Sequence, residues 1–600
     1  MTNRMKLNDQ QLAVVKTEGP VKVQAGPGTG KTTTLVNRFF HDLNGFAPEP
    51  ILVITFTQAG VTAFQHKLKS TAGRLSDKGR DSLAMTAVST FDSVINKYVV
   101  RPVLASVFPE RAFTFVPSYE VEARAWLRVS AQGRKLLVED FEFDGSYLGE
   151  RRAYRAAADL PEFRQDVIGT YHRLFDQNIL SSKVSRYIFE TLIAGEQQWP
   201  FDSIDPSQLK ALRKQLDQRF ADMSVRFPKI YIDEAQDSAK SDYLLVDKLA
   251  EHGAGVSYIG DPHQEIYRFR SSMGFDDRGT TATHLKLTEN YRSNKHICDF
   301  LNTIYDTGIY PGGEAAPPPP DPAVTITTFS DETEYRSKLA KLYTDSPWVV
   351  LSHQEITFKK ILGQPESYGQ KSDPVYDFAE AIERGRNKPP NIEFLLKRST
   401  KLVNCFENRT DLVQRLEKLG LTNAGLSPSE LIARRLVSDL VYEGQPQVST
   451  HLGRERVVTV IESAIANFLG IRPRVPDLPS RTNAFHLSFA ERQWSVKPLE
   501  TELFDVGESG TIHSAKGLEF DNVSVVVGNW KPDEQPHLVE LLNQSPVNHR
   551  HEEILNVFYV ACSRAKRSLN VAFQTGNKAP RNLESLIVEK WGNHTGFQIL

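Results

Sequence analysis

The stretch VKVQAGPGTGKTTTLVNRFF, Val21 to Phe40, decides the fold. VKVQA is a short apolar run of the kind that forms a buried parallel strand. Three glycines follow, Gly26, Gly28 and Gly30, interleaved with Pro27 and Thr29. They let the backbone turn tightly and aim its N–H groups inward, where phosphate oxygens would sit. A helix is expected to start at Lys31, so its N-terminal dipole adds to the attraction for an anion. In such a loop Lys31 reaches the β and γ phosphates and the Thr32 hydroxyl holds Mg²⁺. Ala25 stands where the general GxxxxGK[ST] pattern has its first glycine, and the nucleotide-binding stretch runs on to Thr33.

Working outward, the same strand–loop–helix rhythm repeats. ILVITFT (Ile51 to Thr57) leads into a helical stretch from Gly60 to Leu68. KIYIDEAQD sets Asp233 and Glu234 at the end of an apolar strand, and VSYIGD ends at Asp261. A phosphate loop needs an acid to hold its metal, which assigns Asp233 to the metal and Glu234 to the base that polarises water. The expected fold class is α/β, with parallel sheets flanked by helices and an active edge at the strand C-termini. Helical patterning from about Arg101 to Pro228 and from about Phe358 to Glu500 reads as two insertions, and PGGEAAPPPPDP (Pro311 to Pro322) as a stiff connection.

Composition sets bounds. At 600 residues the chain exceeds one hydrophobic core. A net charge of -2 means that any phosphate backbone must be met by a local basic surface. The three cysteines, Cys298, Cys405 and Cys562, form neither a disulfide framework nor a CxxC zinc pattern. The start MTNRMKLNDQQ lacks an apolar signal core and no run is long enough to span a bilayer, so a cytoplasmic location and no membrane partner are expected.

Taken together, the motifs resemble a superfamily 1 DNA helicase of the UvrD/Rep/PcrA family. Nine segments match in the family's order: LNDQQ, AGPGTGKT, TFTQAGVTAF, STFDS, IDEAQDS, IGDPHQEIYRFRSS, LTENYRS, TIHSAKGLEFDNV and NVFYVACSRAKRSL. The resemblance implies two RecA-like domains, each with a helical insertion. The implied spans are 1–105 and 226–288 for the first domain, with its insertion at 106–225. The second domain takes 289–355 and 501–600, with its insertion at 356–500. It also implies roles: Gln11 reads adenine, Tyr291 stacks on it, and Glu519 contacts the ribose where Gly517 lets the backbone approach. Gln264 senses the γ phosphate, and Arg292 and Arg564 are arginine fingers that stabilise the transition state.

The implied activity is ATP hydrolysis that drives movement on DNA, with ATP and Mg²⁺ as cofactors. Tyr267 and Phe269, the latter where relatives usually carry Trp, offer stacking faces for single-stranded DNA. Phe56, Thr57, Phe91 and His513 are further DNA candidates, although Phe56 and Phe91 equally suit a core. The preference for DNA over RNA and the 3′-to-5′ direction come from the resemblance alone. The expected partners are single-stranded and tailed duplex DNA, with protein partners in repair or defence possible. A translocase that remodels protein–DNA complexes without unwinding alone is the alternative. The chain departs from the family at Thr33, where Arg is usual, at Gln58 and Ala59 for Asn and Lys, and at Ile554 and Leu555 for two arginines. With Leu600 shortly after the last motif, no nuclease domain is expected.

Overall fold

The structure is a computed structural model. It describes residues 7–45, 49–71, 76–115, 128–131, 134–137, 141–143, 148–150, 169, 171–194, 205–266, 275, 279, 281–312, 322–342, 347–353, 373–387, 392–421, 427–442, 448, 452–477, 510–513, 515–528, 537–543, 549–575 and 579–600.

The chain divides into two compact units. The first comprises Met1–Asp331, Thr344–His353 and Val506–Leu600, and the second Glu332–Tyr343 and Gln354–Asp505. The first unit holds two six-stranded sheets. One contains β1 (Val21–Ala25), β2 (Ile51–Thr55), β3 (Ala87–Thr90), β4 (Lys229–Asp233), β5 (Gly255–Gly260) and β6 (Thr283–Leu287). The other contains β7 (Val324–Phe329), β8 (Trp348–Ser352), β9 (Gly510–Thr511), β10 (Phe520–Val527), β11 (Ala565–Gln574) and β12 (Phe597–Ile599). Every pairing in both is parallel.

The spatial orders are β3-β2-β4-β5-β1-β6 and β9-β8-β10-β11-β7-β12. Adding six to each strand number of the first sheet gives the second. The two sheets are therefore one topology used twice, a repeat that the sequence does not display. Their central strands read as continuous apolar runs because helices cover both faces. Ile51 to Ile54 and Val523 with Val525 to Val527 are fully buried. Each sheet has its own core: Val23, Leu35, Phe39 and Ile259 pack around the first, and Val324, Val525, Phe558 and Val571 around the second.

The stretch between Arg101 and Pro228 is not purely helical. Two antiparallel strand pairs occur there, Arg128–Ala131 with Arg134–Leu137 and Phe141–Phe143 with Leu148–Glu150. The alternation of Phe141, Glu142 and Phe143 has the period of a strand and corrects the helical expectation. The helices Ser182–Ala194 and Pro206–Arg226 share a core with Leu52, Ile54 and Ile230 of the first sheet. The second unit is helical where described, from Pro374–Asn387 to Arg454–Leu469, around Phe378, Ile382, Leu402, Leu436 and Ile461. No described helix is long and apolar enough to cross a membrane.

Candidate active site

The glycine loop connects β1 to the helix Lys31–Leu43. Gly28 and Gly30 adopt φ of 69° and 80°, which only glycine takes freely. At Gly28 space is short as well: a Cβ would lie 2.7 Å from both Arg292 Cβ and Asn290 Oδ1. The loop is in fact clasped by the segment Asn290–Arg292. Asn290 Nδ2 donates to the Pro27 carbonyl (2.8 Å), and the Tyr291 N–H donates to the Gly28 carbonyl (2.9 Å). Within the loop the Thr29 hydroxyl donates to the Gly26 carbonyl (2.8 Å), and Lys31 Nζ reaches back to the Ala25 carbonyl (3.4 Å). Thr32 is half-buried on the first helical turn. Thr33 beside it accepts a hydrogen bond from Lys67 Nζ (3.2 Å).

Asp233 and Glu234 lie at the tip of β4. Glu234 holds φ 54°, a left-handed conformation that a non-glycine residue keeps only when its surroundings over-determine it. Gln236 helps to fix it. Its Nε2 donates to Glu234 Oε2 (2.7 Å), while its Oε1 accepts from the Asp261 N–H (3.0 Å) at the tip of β5. Burial and the neighbouring Glu234 push Asp233 up to about 7, against the pull of Lys31 and Lys67. Burial also works against a charged Glu234, but Lys31, Lys516, the Gln236 hydrogen bond and Arg564 outweigh it and hold this carboxyl down to about 2.

The second sheet supplies cations. Arg564 immediately precedes β11, and Glu519 immediately precedes β10. Arg564 is buried; its Nη2 donates to Gln264 Oε1 (3.2 Å), and its Nε to the Val560 carbonyl (3.0 Å). Burial and the adjacent Arg292 push its guanidinium down to about 9. Arg292 Nε donates to Glu519 Oε2 (2.9 Å), and Lys566 pairs with the other oxygen (3.0 Å). Burial raises the Glu519 carboxyl less than the hydrogen bond from Lys566 and the charge of Arg292 lower it. Gly517, with φ 83°, faces open space.

Gln264 is buried and its Nε2 donates to Asp261 Oδ2 (2.6 Å). Lys516 Nζ donates to the Gln264 carbonyl (2.9 Å) and to both oxygens of Asp237 (2.6 and 2.5 Å). Asp237 is buried too, and its desolvation outweighs Lys516, leaving its carboxyl up at about 6. One cleft thus gathers Lys31, Asp233 and Glu234 at C-terminal strand tips of the first sheet. Facing them are Arg292 and residues at the N-terminal starts of two strands of the second.

At the other end of the loop, Gln11 belongs to a helix Asp9–Lys16 capped by Asn8. Gln11 Nε2 donates to the Thr29 carbonyl (3.1 Å), and a Cβ at Gly30 would lie 2.8 Å from that nitrogen. The Tyr291 hydroxyl accepts from Asn8 Nδ2 (2.8 Å), which also donates to Glu289 Oε2 (2.6 Å). Burial and its hydrogen bond with Glu289 push Tyr291 up to about 12. Tyr291 is half-buried beside the loop.

The DNA candidates fare unequally. Phe56 is half-buried and Thr57 exposed at the end of β2. His513 follows β9, with Nε2 3.3 Å from the Ile266 carbonyl and its ring stacked on His353 at 5.8 Å. Burial lowers its pKa further than the Ile266 carbonyl raises it. Of the two readings open for Phe91, DNA contact or core, the structure favours the core: it is 4% exposed and packs with Val94 and Ile95. Tyr267 and Phe269 lie outside the described residues, as do the side chains of Gln58 and Ala59. Leu555 is buried and Ile554 packs beside it in the second core.

Sequence reasoning passed over Asn290, Gln236, Asp237, Lys516 and Lys67. The first four lie inside the matched motifs, so motif position was an available signal. Lys67 lies 12 residues beyond Thr55 on a helix and had none. Among the described residues no cluster of three or more His, Cys, Asp or Glu could hold a metal alone. Thr32 and Asp233 fit Mg²⁺, which takes one or two protein oxygens and draws its remaining ligands from phosphates and water.

Residues 7–274 match the UvrD/REP helicase N-terminal domain, and residues 509–575 match the UvrD-like helicase C-terminal domain. The ATP-dependent DNA helicase PcrA of Bacillus subtilis is 28% identical over 302 residues, covering 49% of this chain and 38% of that protein. PcrA of Staphylococcus aureus is 24% identical over 306 residues, 49% of this chain and 39% of the relative. PcrA of Staphylococcus epidermidis is 23% identical over 304 residues, 50% and 39%. The matched part thus spans about two fifths of these relatives' length.

Proposed function

Because the chain belongs to the UvrD/Rep/PcrA-type helicases of superfamily 1, we propose that it is an ATP-dependent DNA helicase moving 3′-to-5′ on single-stranded DNA. The observation that carries the reading is the Arg564–Gln264 contact, which joins the second sheet to the first beside Glu234. A triphosphate seated on the loop meets Lys31 from one side and Arg292 and Arg564 from the other. Their charge is worth most where negative charge develops, in a site shut off from water. Glu234, held as a carboxylate, orients and polarises the attacking water. Mg²⁺ on Thr32 and Asp233 would neutralise phosphate charge. Arginines that reach the triphosphate only when the cleft is shut make closure depend on the nucleotide, and hydrolysis releases it.

Turnover with and without single-stranded DNA, together with strand displacement on 3′-tailed, 5′-tailed and blunt duplexes, tests this. The expected result is DNA-stimulated hydrolysis with displacement of the 3′-tailed duplex alone. Displacement from the 5′ tail would reverse the direction. Stimulated hydrolysis without displacement would leave a translocase that serves a larger complex, and hydrolysis indifferent to DNA would sink the motor.

A further inference from the structure

The segment from Pro262 to Ile266 leaves the tip of β5 and is held by residues of the second sheet's half, largely through its main chain. Asn556 Nδ2 donates to the carbonyls of Pro262 (3.4 Å) and Glu265 (3.1 Å). Lys516 takes the Gln264 carbonyl and His513 lies against that of Ile266. The His263 ring stacks on Tyr305, centroids 4.0 Å apart.

Asn556 sits on the helix His549–Cys562 and is 2% exposed. Its Oδ1 accepts from the Tyr305 hydroxyl (2.7 Å). Carbonyls only accept, so the amide nitrogen must face the loop and the oxygen must face Tyr305. The reverse orientation would set three oxygens together in a buried place. A buried amide with both ends engaged is costly to unmake, because each lost partner leaves a desolvated polar group. The grip is on backbone, so it constrains where the loop sits, and Gln264 lies within the gripped stretch.

We propose that Asn556 is a positioning residue for ATP turnover: it ties the loop Pro262–Glu265 to the second sheet and so keeps Gln264 against Arg564. The loop then moves with the second sheet when the cleft opens, although it grows from the first. The inference rests on the ATP-driven closure described above.

The test is a double-mutant cycle on the full chain: Asn556→Leu, Gln264→Ala and both together, with ATP turnover measured with and without single-stranded DNA. Amide hydrogen exchange over residues 262–266 accompanies it. Asn556→Leu should lower kcat roughly tenfold with KM for ATP within about twofold, and add little on top of Gln264→Ala. Its loop amides should exchange faster than those of the wild type. Tyr305→Phe keeps the ring on His263 and removes only the hydroxyl, so it should lose a smaller part of kcat. Additive losses, unchanged exchange, or wild-type turnover in both Asn556→Leu and Tyr305→Phe overturn the proposal. Turnover indifferent to DNA would fell the motor reading, yet the cycle measured without DNA still decides the role of Asn556.

Discussion

The two sheets of the first unit share a strand order and use opposite ends of it. The first brings C-terminal tips to the cleft: the glycine loop after β1, Asp233 and Glu234 at β4, Asp261 after β5. The second brings N-terminal starts, with Glu519 before β10 and Arg564 before β11. The strand of the second sheet that corresponds to β1 is β7, and SDETEY follows it. Those residues bring acids, Glu332 and Glu334, to the first turn of the next helix, where a triphosphate would be repelled. Topology alone therefore does not make a nucleotide site. The residues at the tips do, and a repeated sheet set head to tail needs only one such loop per cleft.

The sharpest way to break this contrast is to count nucleotides. One ATP analogue per chain is expected by calorimetry. Lys31→Ala should abolish turnover, whereas Asp331→Ala beyond β7 should leave it near the wild-type rate. A second bound nucleotide, or turnover surviving in Lys31→Ala, would end the distinction between the two sheets. Next in size is Arg564→Ala. If the second sheet acts through its strand starts, kcat should fall by roughly 10³ while the analogue still binds. Arg564→Lys should not restore it, because a lysine lacks the planar fork that serves several acceptors at once. An Arg564→Ala enzyme within a few-fold of normal would mean that the second sheet contributes binding and little else.

Much of the first sheet's chemistry was legible, because it sits in contiguous stretches where a strand, a turn and a charged residue follow one another. Lys31, Asp233 and Glu234 were picked out that way, and the structure brings the three together. The repeat was legible only through the resemblance, which implied two RecA-like domains; strands such as VKVQA and VTITTF are both largely buried and share too few residues to display it. Phe91 stayed open between DNA and core because an aromatic after a strand reads alike whether it points outward or into a core. Asn290 and Lys516 escaped because their importance lies in what they touch, and their partners, Pro27 and Asp237, are some 260 and 280 residues away.

A smaller effect is expected from the buried pair that crosses the cleft, Lys516 and Asp237. Burial leaves Asp237 at about 6 rather than 3.8. A carboxyl whose pKa is raised by folding holds its proton more tightly in the folded state. Its contribution to stability is full below pH 3.8 and is lost as pH rises through about 6. Asp237→Asn does not titrate. The stability of the wild type relative to Asp237→Asn should therefore decline between pH 4 and 6 by on the order of 1.4 kcal/mol per pKa unit, and then level off. Denaturant melts at several pH values measure it. A difference that rises over that window would mean that Lys516 prevails over burial.

The smallest expected effect lies at Thr33, where the chain departs from its relatives. Lys67 Nζ already donates to the Thr33 hydroxyl. Burial lowers the pKa of Lys67, while the charges of Asp233 and Glu519 pull it back up. A cation thus stands beside the first turn of the phosphate-loop helix, delivered by the helix Gln58–Thr71. An arginine at position 33 would bring a second positive charge against it. Thr33→Arg alone should then leave KM for ATP unchanged or raise it by roughly two- to fivefold, the scale of one partly exposed charge contact. Thr33→Arg combined with Lys67→Ala should recover the lower value, since the guanidinium inherits the vacated place. If Thr33→Arg alone tightens ATP, Lys67 is not filling the place of the missing arginine, and the first sheet's loop would be under-supplied with charge at that turn.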